Sequence, residues 1–305
     1  MENKSVLVIG IGAVGSAFLA NSAGLFKKVG IFDGDIISKS NLTNQPFYSD
    51  FDFSSPSSKV SFAVKKMNAM DKATEYKGYE RYFIESDFNV MKDYDLILDF
   101  TDSIQSRLII NSGCVKTGSP AVFVSLNDKE SVLYFYRGNA CFNCIFRNSI
   151  GHIKEGCESV ISPPGKDYLD FLIHSILDFS LGKIKGDEIR IFNLKNKKVL
   201  ESNVKRDKEC EVCVNNRSNN IQTGFLQICS SGIKFSLGSE IDLKILNKKI
   251  PRSEINGDYL FSNNGRKSIL ISSKGDFLFT GYTKDEAEQL LMSFIPERLY
   301  KKEKA

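Results

Sequence analysis

Two rhythms of apolar residues divide this chain. From Ser5 to Leu126, short unbroken apolar runs alternate with stretches whose apolar positions fall three and four apart. The runs lie at Ser5–Ile9, Val29–Phe32, Tyr82–Ile84, Asp95–Phe100 and Ala121–Leu126, and each reads as a strand buried on both faces. The intervening stretches read as helices over Ala13–Phe26, Lys59–Met70 (Val60, Ala63, Val64, Met67) and Asp102–Lys116 (Ile104, Leu108, Ile109, Val115). Strands alternating with helices predict an α/β fold, a Rossmann-like doubly wound, mostly parallel sheet. After Leu126 the rhythm changes. Ser131–Tyr136 alternates as a strand, Tyr168–Leu181 carries a helical apolar stripe, and Glu188–Leu194 with Lys197–Val204 reads as a hairpin. The polar stretch Asn215–Asn220 reads as a linker. Beyond it, strands are expected at Phe225–Ile228, Ile233–Leu237, Ile241–Leu246, Tyr259–Phe261, Ile269–Ile271 and Phe277–Phe279. A final helix opens on the capping box Thr283–Glu286. The expected organisation is a domain over residues 1–214 and a small β-rich one over 221–305.

The first strand runs into Gly10-x-Gly12-x-x-Gly15 and then a helix. Gly10 permits a tight turn, Gly12 lets a phosphate approach the backbone, and Gly15 lets the helix pack on the strand. The N–H groups and dipole of the helix start favour an anion. The second strand ends in Asp33, 18 residues after Gly15, where a carboxylate can hold ribose hydroxyls. Asp102 stands just past the carboxyl end of the fourth strand, the edge at which open α/β sheets bind ligands. A carboxylate near phosphates suits Mg²⁺, and Lys59 can neutralise a phosphate. The plainer alternatives are that Asp102 caps the following helix and that Lys59 is one exposed lysine among many.

Composition narrows the picture. The 305 residues include 41 basic and 37 acidic side chains, a net charge of +4. That balance argues against a nucleic-acid partner. No apolar run approaches the ~20 residues of a membrane span, and a strand within five residues of Met1 leaves no signal peptide. Four of the seven cysteines form Cys141-x-x-Cys144 and Cys210-x-x-Cys213. Two such pairs in a chain of this size point to a metal site in a reducing, cytoplasmic setting. Four thiolates would fill a Zn²⁺ tetrahedron and leave no open position, so the zinc would be structural. With 65 residues between Cys144 and Cys210, only the fold can unite the halves. Cys114 and Cys229 read as small buried hydrophobes, His174 as structural, and His152 as a candidate activator of Cys157.

Gly10–Gly15, Asp33-Gly-Asp35 with Ser40–Gln45, Asp99-Phe-Thr-Asp102 with Arg107, and the two cysteine pairs occur in an order and spacing that resembles the ThiF/MoeB/HesA family, prokaryotic relatives of ubiquitin-activating enzymes. The resemblance covers residues 5 to 213. It implies an adenylyltransferase that uses ATP and Mg²⁺ to activate the C-terminal carboxylate of a ubiquitin-like sulfur-carrier protein or a short peptide, and it implies a homodimer. It places ATP on Gly10, Gly12, Gly15, Asp33, Asp35, Asn41, Gln45, Lys59 and Asp102, Mg²⁺ on Asp102, and zinc on the four cysteines. It gives Asp102, Lys59, Asn41 and Arg107 to the chemistry, and matches Cys157 to a cysteine that forms a covalent link in some relatives. Two departures stand out. Asn44 occupies the place of an arginine in the family's Asn-Leu-x-Arg-Gln motif, and no arginine-bearing helix precedes the first strand. Arg107 or a partner's arginine could replace that charge. The alternative function is an inactive relative that presents a leader peptide to a modifying enzyme. A nicotinamide-dependent dehydrogenase would leave Asp102, Asn41 and the cysteines without a role.

Overall fold

The run Val6–Ile9 forms the second half of the first strand, β1 (Glu2–Ile9), and is between 0 and 3% exposed. In the computed structural model, which describes residues 2–54, 57–150, 163–214, 225–228, 232–237, 239–264 and 267–295, β1 lies at the centre of an eight-stranded sheet. The other strands are β2 (Phe26–Phe32), β3 (Glu75–Tyr79), β4 (Leu96–Asp99), β5 (Ala121–Leu126), β6 (Glu130–Tyr136), β7 (Glu188–Asn193) and β8 (Val199–Asn203). The spatial order is β3-β2-β1-β4-β5-β6-β7-β8. Pairings among the first five strands are parallel; those from β5 to β8 are antiparallel. Because the order reverses between β1 and β4, both strands deliver their carboxyl ends to one crevice, the switch point of a doubly wound sheet.

The helices of this unit are α1 (Ala13–Asn21), α2 (Lys59–Met70), α3 (Phe88–Met91), α4 (Ile104–Thr117), α5 (Phe142–Ile150) and α6 (Lys166–Ser180). One apolar cluster joins β1, β2, β4, α1, α2 and α6, through Val6, Val8, Phe18, Ile31, Met67, Leu98 and Leu172.

Three expectations are corrected. The first helix stops at Asn21 rather than Phe26, because Phe26–Lys28 pair with β1 as the opening of β2. The third strand is Glu75–Tyr79, not Tyr82–Ile84. Its register to β2 pairs Lys28 with Glu75 and Phe32 with Tyr79, and it buries only Tyr76 deeply. An edge strand with one covered face has no continuous apolar run to betray it. Tyr82–Ile84 is apolar for another reason: Phe83 packs edge-on to Phe32 at 5.2 Å, and Ile84 opens a 3₁₀ turn at Glu85–Asp87. In the second unit, Ile241–Leu246 is not a strand. Asp242 caps a short helix, α7 (Leu243–Asn247), which buries Leu243 and Leu246 and leaves Ile245 exposed. The alternation there mimicked a strand while the burial follows a helical spacing.

The chain divides into two compact units, Met1–Phe51 with Ser57–Ile221, and Asp52–Pro56 with Gln222–Ala305. The second unit holds an antiparallel sheet of β9 (Phe225–Ile228), β10 (Gly232–Ser236), β11 (Ser253–Asn256), β12 (Tyr259–Asn264), β13 (Lys267–Ser272) and β14 (Asp276–Thr280), ordered β11-β12-β13-β14-β10-β9. Its core combines Phe235, Ile271, Phe277 and Phe279 with Leu291 and Phe294 of α8 (Lys284–Phe294). The capping box Thr283–Glu286 starts that helix as expected. The expected linker, Asn215–Asn220, lies outside the described residues. No helix among the described residues is long and apolar enough to cross a membrane.

Candidate active site

The glycine loop fills the turn from β1 into α1. Gly10 sits at φ +89°, a backbone conformation that side chains disfavour. Its N–H donates to the Phe32 carbonyl at 2.8 Å, which ties the turn to the end of β2. A Cβ on Gly15 would lie 2.1 Å from the Gly10 carbonyl oxygen, so the helix can start this close to the strand only with glycine there. A Cβ on Gly12 would meet no atom within 4 Å. Gly12 is also the cap position of α1, where no side chain satisfies the first N–H groups and no acidic residue occupies the first turn. That combination is an anion site in waiting: open space beside unsatisfied donors at the positive end of a helix.

Both backbone groups of Ile11 are held. Its N–H donates to Asp33 Oδ2 at 2.9 Å, and its carbonyl accepts the Tyr48 hydroxyl at 2.7 Å. Tyr48 is fully buried. Burial first, and then the carboxylates of Asp33 and Asp35, push its pKa well above the usual phenol value, so it remains a donor. Asp33 Oδ1 accepts the N–H of Asp35 at 2.8 Å. Asp35 in turn takes the Lys59 ammonium on Oδ2 and the Tyr82 hydroxyl on Oδ1, each at 3.0 Å. Lys59, the first residue of α2, is only 5% exposed, with Ser58 capping the helix ahead of it. Burial by itself lowers its pKa. The charges of Asp35, Asp33 and, more weakly, Asp102 more than offset this and hold its pKa above the usual lysine range. Lys59 is therefore a buried, charged ammonium and not one exposed lysine of many.

Asp102 is exposed and precedes Ser103, whose hydroxyl caps α4. The capping explanation of Asp102 thus falls to its neighbour. Asn41 folds back within a 3₁₀ turn, Lys39–Thr43, and its Oδ1 accepts from the N–H and hydroxyl of Ser38 at 2.9 and 3.0 Å. Gln45 is buried and its Oε1 accepts no hydrogen bond among the described residues. Arg107 is held on the segment that follows β4. Its Nη2 donates to the carbonyls of Thr101 and Val124 at 2.6 and 2.7 Å, and its Nη1 stands 4.0 Å from the buried Asp99 carboxylate. Burial raises the Asp99 pKa, and Arg107 opposes that rise. Asp99 Oδ1 also accepts from the N–H and hydroxyl of Thr101, at 2.9 and 2.6 Å. Arg107 and Asp99 together brace the Thr101–Asp102 turn. Cys157, His152 and Cys229 lie outside the described residues. Cys114 is fully buried, as expected of a small hydrophobe, whereas His174 is on the exposed side of α6 with Nδ1 2.6 Å from the Asp170 carbonyl.

The fold unites the cysteines. The Sγ atoms of Cys141, Cys144, Cys210 and Cys213 all lie within 4.8 Å of one another. Neighbouring pairs stand at 3.9 Å (Cys141–Cys144), 3.6 Å (Cys141–Cys210) and 3.5 Å (Cys144–Cys213). A tetrahedron with Zn–S bonds of about 2.3 Å has edges of about 3.8 Å, so the four sulfurs fit zinc closely. The Asn143 amide lies 3.9 Å from Cys210 Sγ, within reach as an outer donor to that sulfur.

Sequence reasoning missed Tyr48 and Tyr82. Neither stands in the glycine or acidic motifs, and neither an irregular polar stretch (Tyr48) nor an apolar run (Tyr82) gives a signal of the hydroxyl's target.

A family model described as the ThiF family matches residues 1–214. Among curated proteins, the chain is 30% identical over 152 residues to "Adenylyltransferase and sulfurtransferase MOCS3" of Danio rerio, covering 48% of this chain and 32% of that protein. It is 34% identical over 151 residues to "Adenylyltransferase and sulfurtransferase UBA4" of Kluyveromyces lactis, covering 48% and 34%. The match therefore spans about a third of these relatives. Among solved structures, E. coli MccB with ATP superposes with a TM-score of 0.54 over 69% of this chain and 66% of that one, at 17% identity, a likeness of fold.

Proposed function

The chain belongs to the ThiF family, and on that footing we propose that it is an ATP-dependent adenylyltransferase acting on a C-terminal carboxylate. The observation that carries this reading is the unbroken line of hydrogen bonds from Ile11 through Asp33 and Asp35 to the Lys59 ammonium. It links an open anion site to a buried cation. Asp33 presents a carboxylate at the end of β2, suited to ribose hydroxyls. The N–H groups ahead of α1 and the Lys59 ammonium face a polyphosphate. Asp102, exposed yet close enough for its charge to act on Lys59, would hold Mg²⁺, which supplies further charge neutralisation.

In the proposed step a carboxylate oxygen attacks the α-phosphorus. A new O–P bond forms, the bond from that phosphorus to the bridging oxygen breaks, and the electron pair leaves with pyrophosphate. No proton moves and no general base is required, since the carboxylate is already ionised. Two anions must meet, so catalysis consists of placement and charge neutralisation. The relatives whose names include adenylyltransferase and sulfurtransferase favour a ubiquitin-like sulfur carrier as the acyl donor, with a short peptide the other candidate.

A second reading has its own observation. Asn44 replaces an arginine, and Arg107 spends its Nη2 on backbone carbonyls. The first leaves one guanidinium fewer than the family motif supplies, and the second leaves the Arg107 guanidinium charged but with its Nη2 engaged, as expected of a relative that only docks a leader peptide. Exchange of labelled pyrophosphate into ATP separates the two. Exchange that requires a carboxyl-terminal substrate supports adenylation; its absence with every sulfur carrier and precursor peptide tried supports the docking module.

A further inference from the structure

We propose that Tyr82 is a positioning residue of this site: its hydroxyl, through the Asp35 carboxylate, fixes the Lys59 ammonium beside the glycine loop. The consequence for turnover rests on the adenylation reading; the tether itself rests on geometry alone.

A lysine ammonium is a compact charge on a flexible stem with no preferred hydrogen-bond direction. Something must set where it stands. Asp35 alone is a poor anchor, because a carboxylate turns readily about its last torsion. Here both oxygens are committed, Oδ2 to Lys59 and Oδ1 to Tyr82, so the plane of the group is fixed. The Asp35 backbone is pinned too. Its N–H donates to Asp33, and its carbonyl accepts the Lys59 N–H at 2.9 Å.

Tyr82 is itself rigid. Its ring lies so close over Gly34 that a Cβ there would meet ring carbons at 2.5 to 2.7 Å. The residues on either side are fastened: Arg81 pairs with Asp87 at 2.5 Å and donates its N–H to the Tyr79 carbonyl, and Phe83 is buried against Phe32. A stiff segment thus ends in a hydroxyl aimed at the carboxylate that accepts from the cation. Packing alone would explain the ring, but it gives no reason for the hydroxyl to meet Asp35.

The test uses the full-length protein and two readouts. Lysines are acylated with trace acetic anhydride, and Lys59 modification is read by peptide mass spectrometry against exposed Lys65. Tyr82→Phe keeps the ring and deletes the hydroxyl; it should raise relative Lys59 labelling about tenfold, the size of one hydrogen bond to a charged group. Gly34→Ala displaces the ring and should shift labelling the same way. Pyrophosphate exchange by Tyr82→Phe should fall about tenfold in kcat with KM for ATP changed less than about twofold, the pattern of an interaction felt in the transition state. Unchanged Lys59 labelling in Tyr82→Phe overturns the tether. Raised labelling with unaltered exchange overturns its role in positioning. If the parent supports no exchange, the adenylation reading falls, and the labelling ratio alone sustains or overturns the tether.

Discussion

The candidate nucleotide site and the cysteine cluster are built on opposite plans. The first draws on residues 10 to 102, taken in chain order at the ends of β1, β2 and β4, and stays open. Its groups are held by hydrogen bonds that leave Gly12 clear and Asp102 exposed. The second draws on two short segments 65 residues apart and closes on itself, with Cys141 and Cys210 fully buried. An open polar site is organised to be completed by a ligand and contributes little to stability. A closed thiolate cluster that takes a metal fastens the chain. Loss of a group should therefore act on turnover in one and on folding in the other.

The largest expected effect is on the cluster. Four-ligand zinc sites contribute roughly 10–16 kcal/mol of apparent binding energy to their folded state. Cys210→Ser should leave less than one zinc per chain by metal analysis and lower the thermal midpoint. A chelator should lower the parent's midpoint and leave that of Cys210→Ser almost unmoved. A parent without bound zinc and indifferent to chelation would break the comparison.

Next is Asp102→Ala, which should depress pyrophosphate exchange by about 10²–10³-fold, the scale of a lost charge-stabilising group. Its thermal midpoint should match the parent's, since the side chain is exposed and Ser103 does the capping. A large drop in midpoint would show that Asp102 serves the fold.

Gly15→Ala sits where the two plans meet. A Cβ 2.1 Å from the Gly10 carbonyl oxygen cannot be accommodated without moving α1 off β1. Overpacking of this kind costs about 1–3 kcal/mol, and ATP binding by calorimetry should weaken with it. Gly12→Ala, in open space, should retain stability and lose ATP affinity, which separates phosphate access from packing. The smallest effect is expected for Tyr48→Phe. Loss of its bond to the Ile11 carbonyl should cost about 1 kcal/mol in chemical denaturation, with exchange reduced only modestly.

Much of the nucleotide site was legible because its chemistry is local. Gly10 and Gly15 are dictated by the turn they make, Gly12 by the open space it leaves, and Asp33 by its place at the end of β2. The same locality misled for Asp102, whose capping alternative vanished once Ser103 was seen to accept the Ser106 N–H. For Arg107 the structure adds partners that spacing does not show, the carbonyls of Thr101 and Val124. The strand expected at Tyr82–Ile84 failed because burial of Phe83 makes a segment apolar without pairing it to a neighbour.

The alternation of strand and helix, the glycine turn and the cysteine pairs can be read along the chain, because backbone sterics and apolar periodicity act over a few residues. The tertiary structure alone decided that four sulfurs converge from segments 65 residues apart, that β3 is an edge strand without an apolar run, and that Tyr82, Asp35 and Lys59 form one line. Those outcomes depend on which distant groups are brought within about 3–4 Å, the range over which hydrogen bonds and sulfur–metal geometry act. Spacing along a chain does not encode that distance.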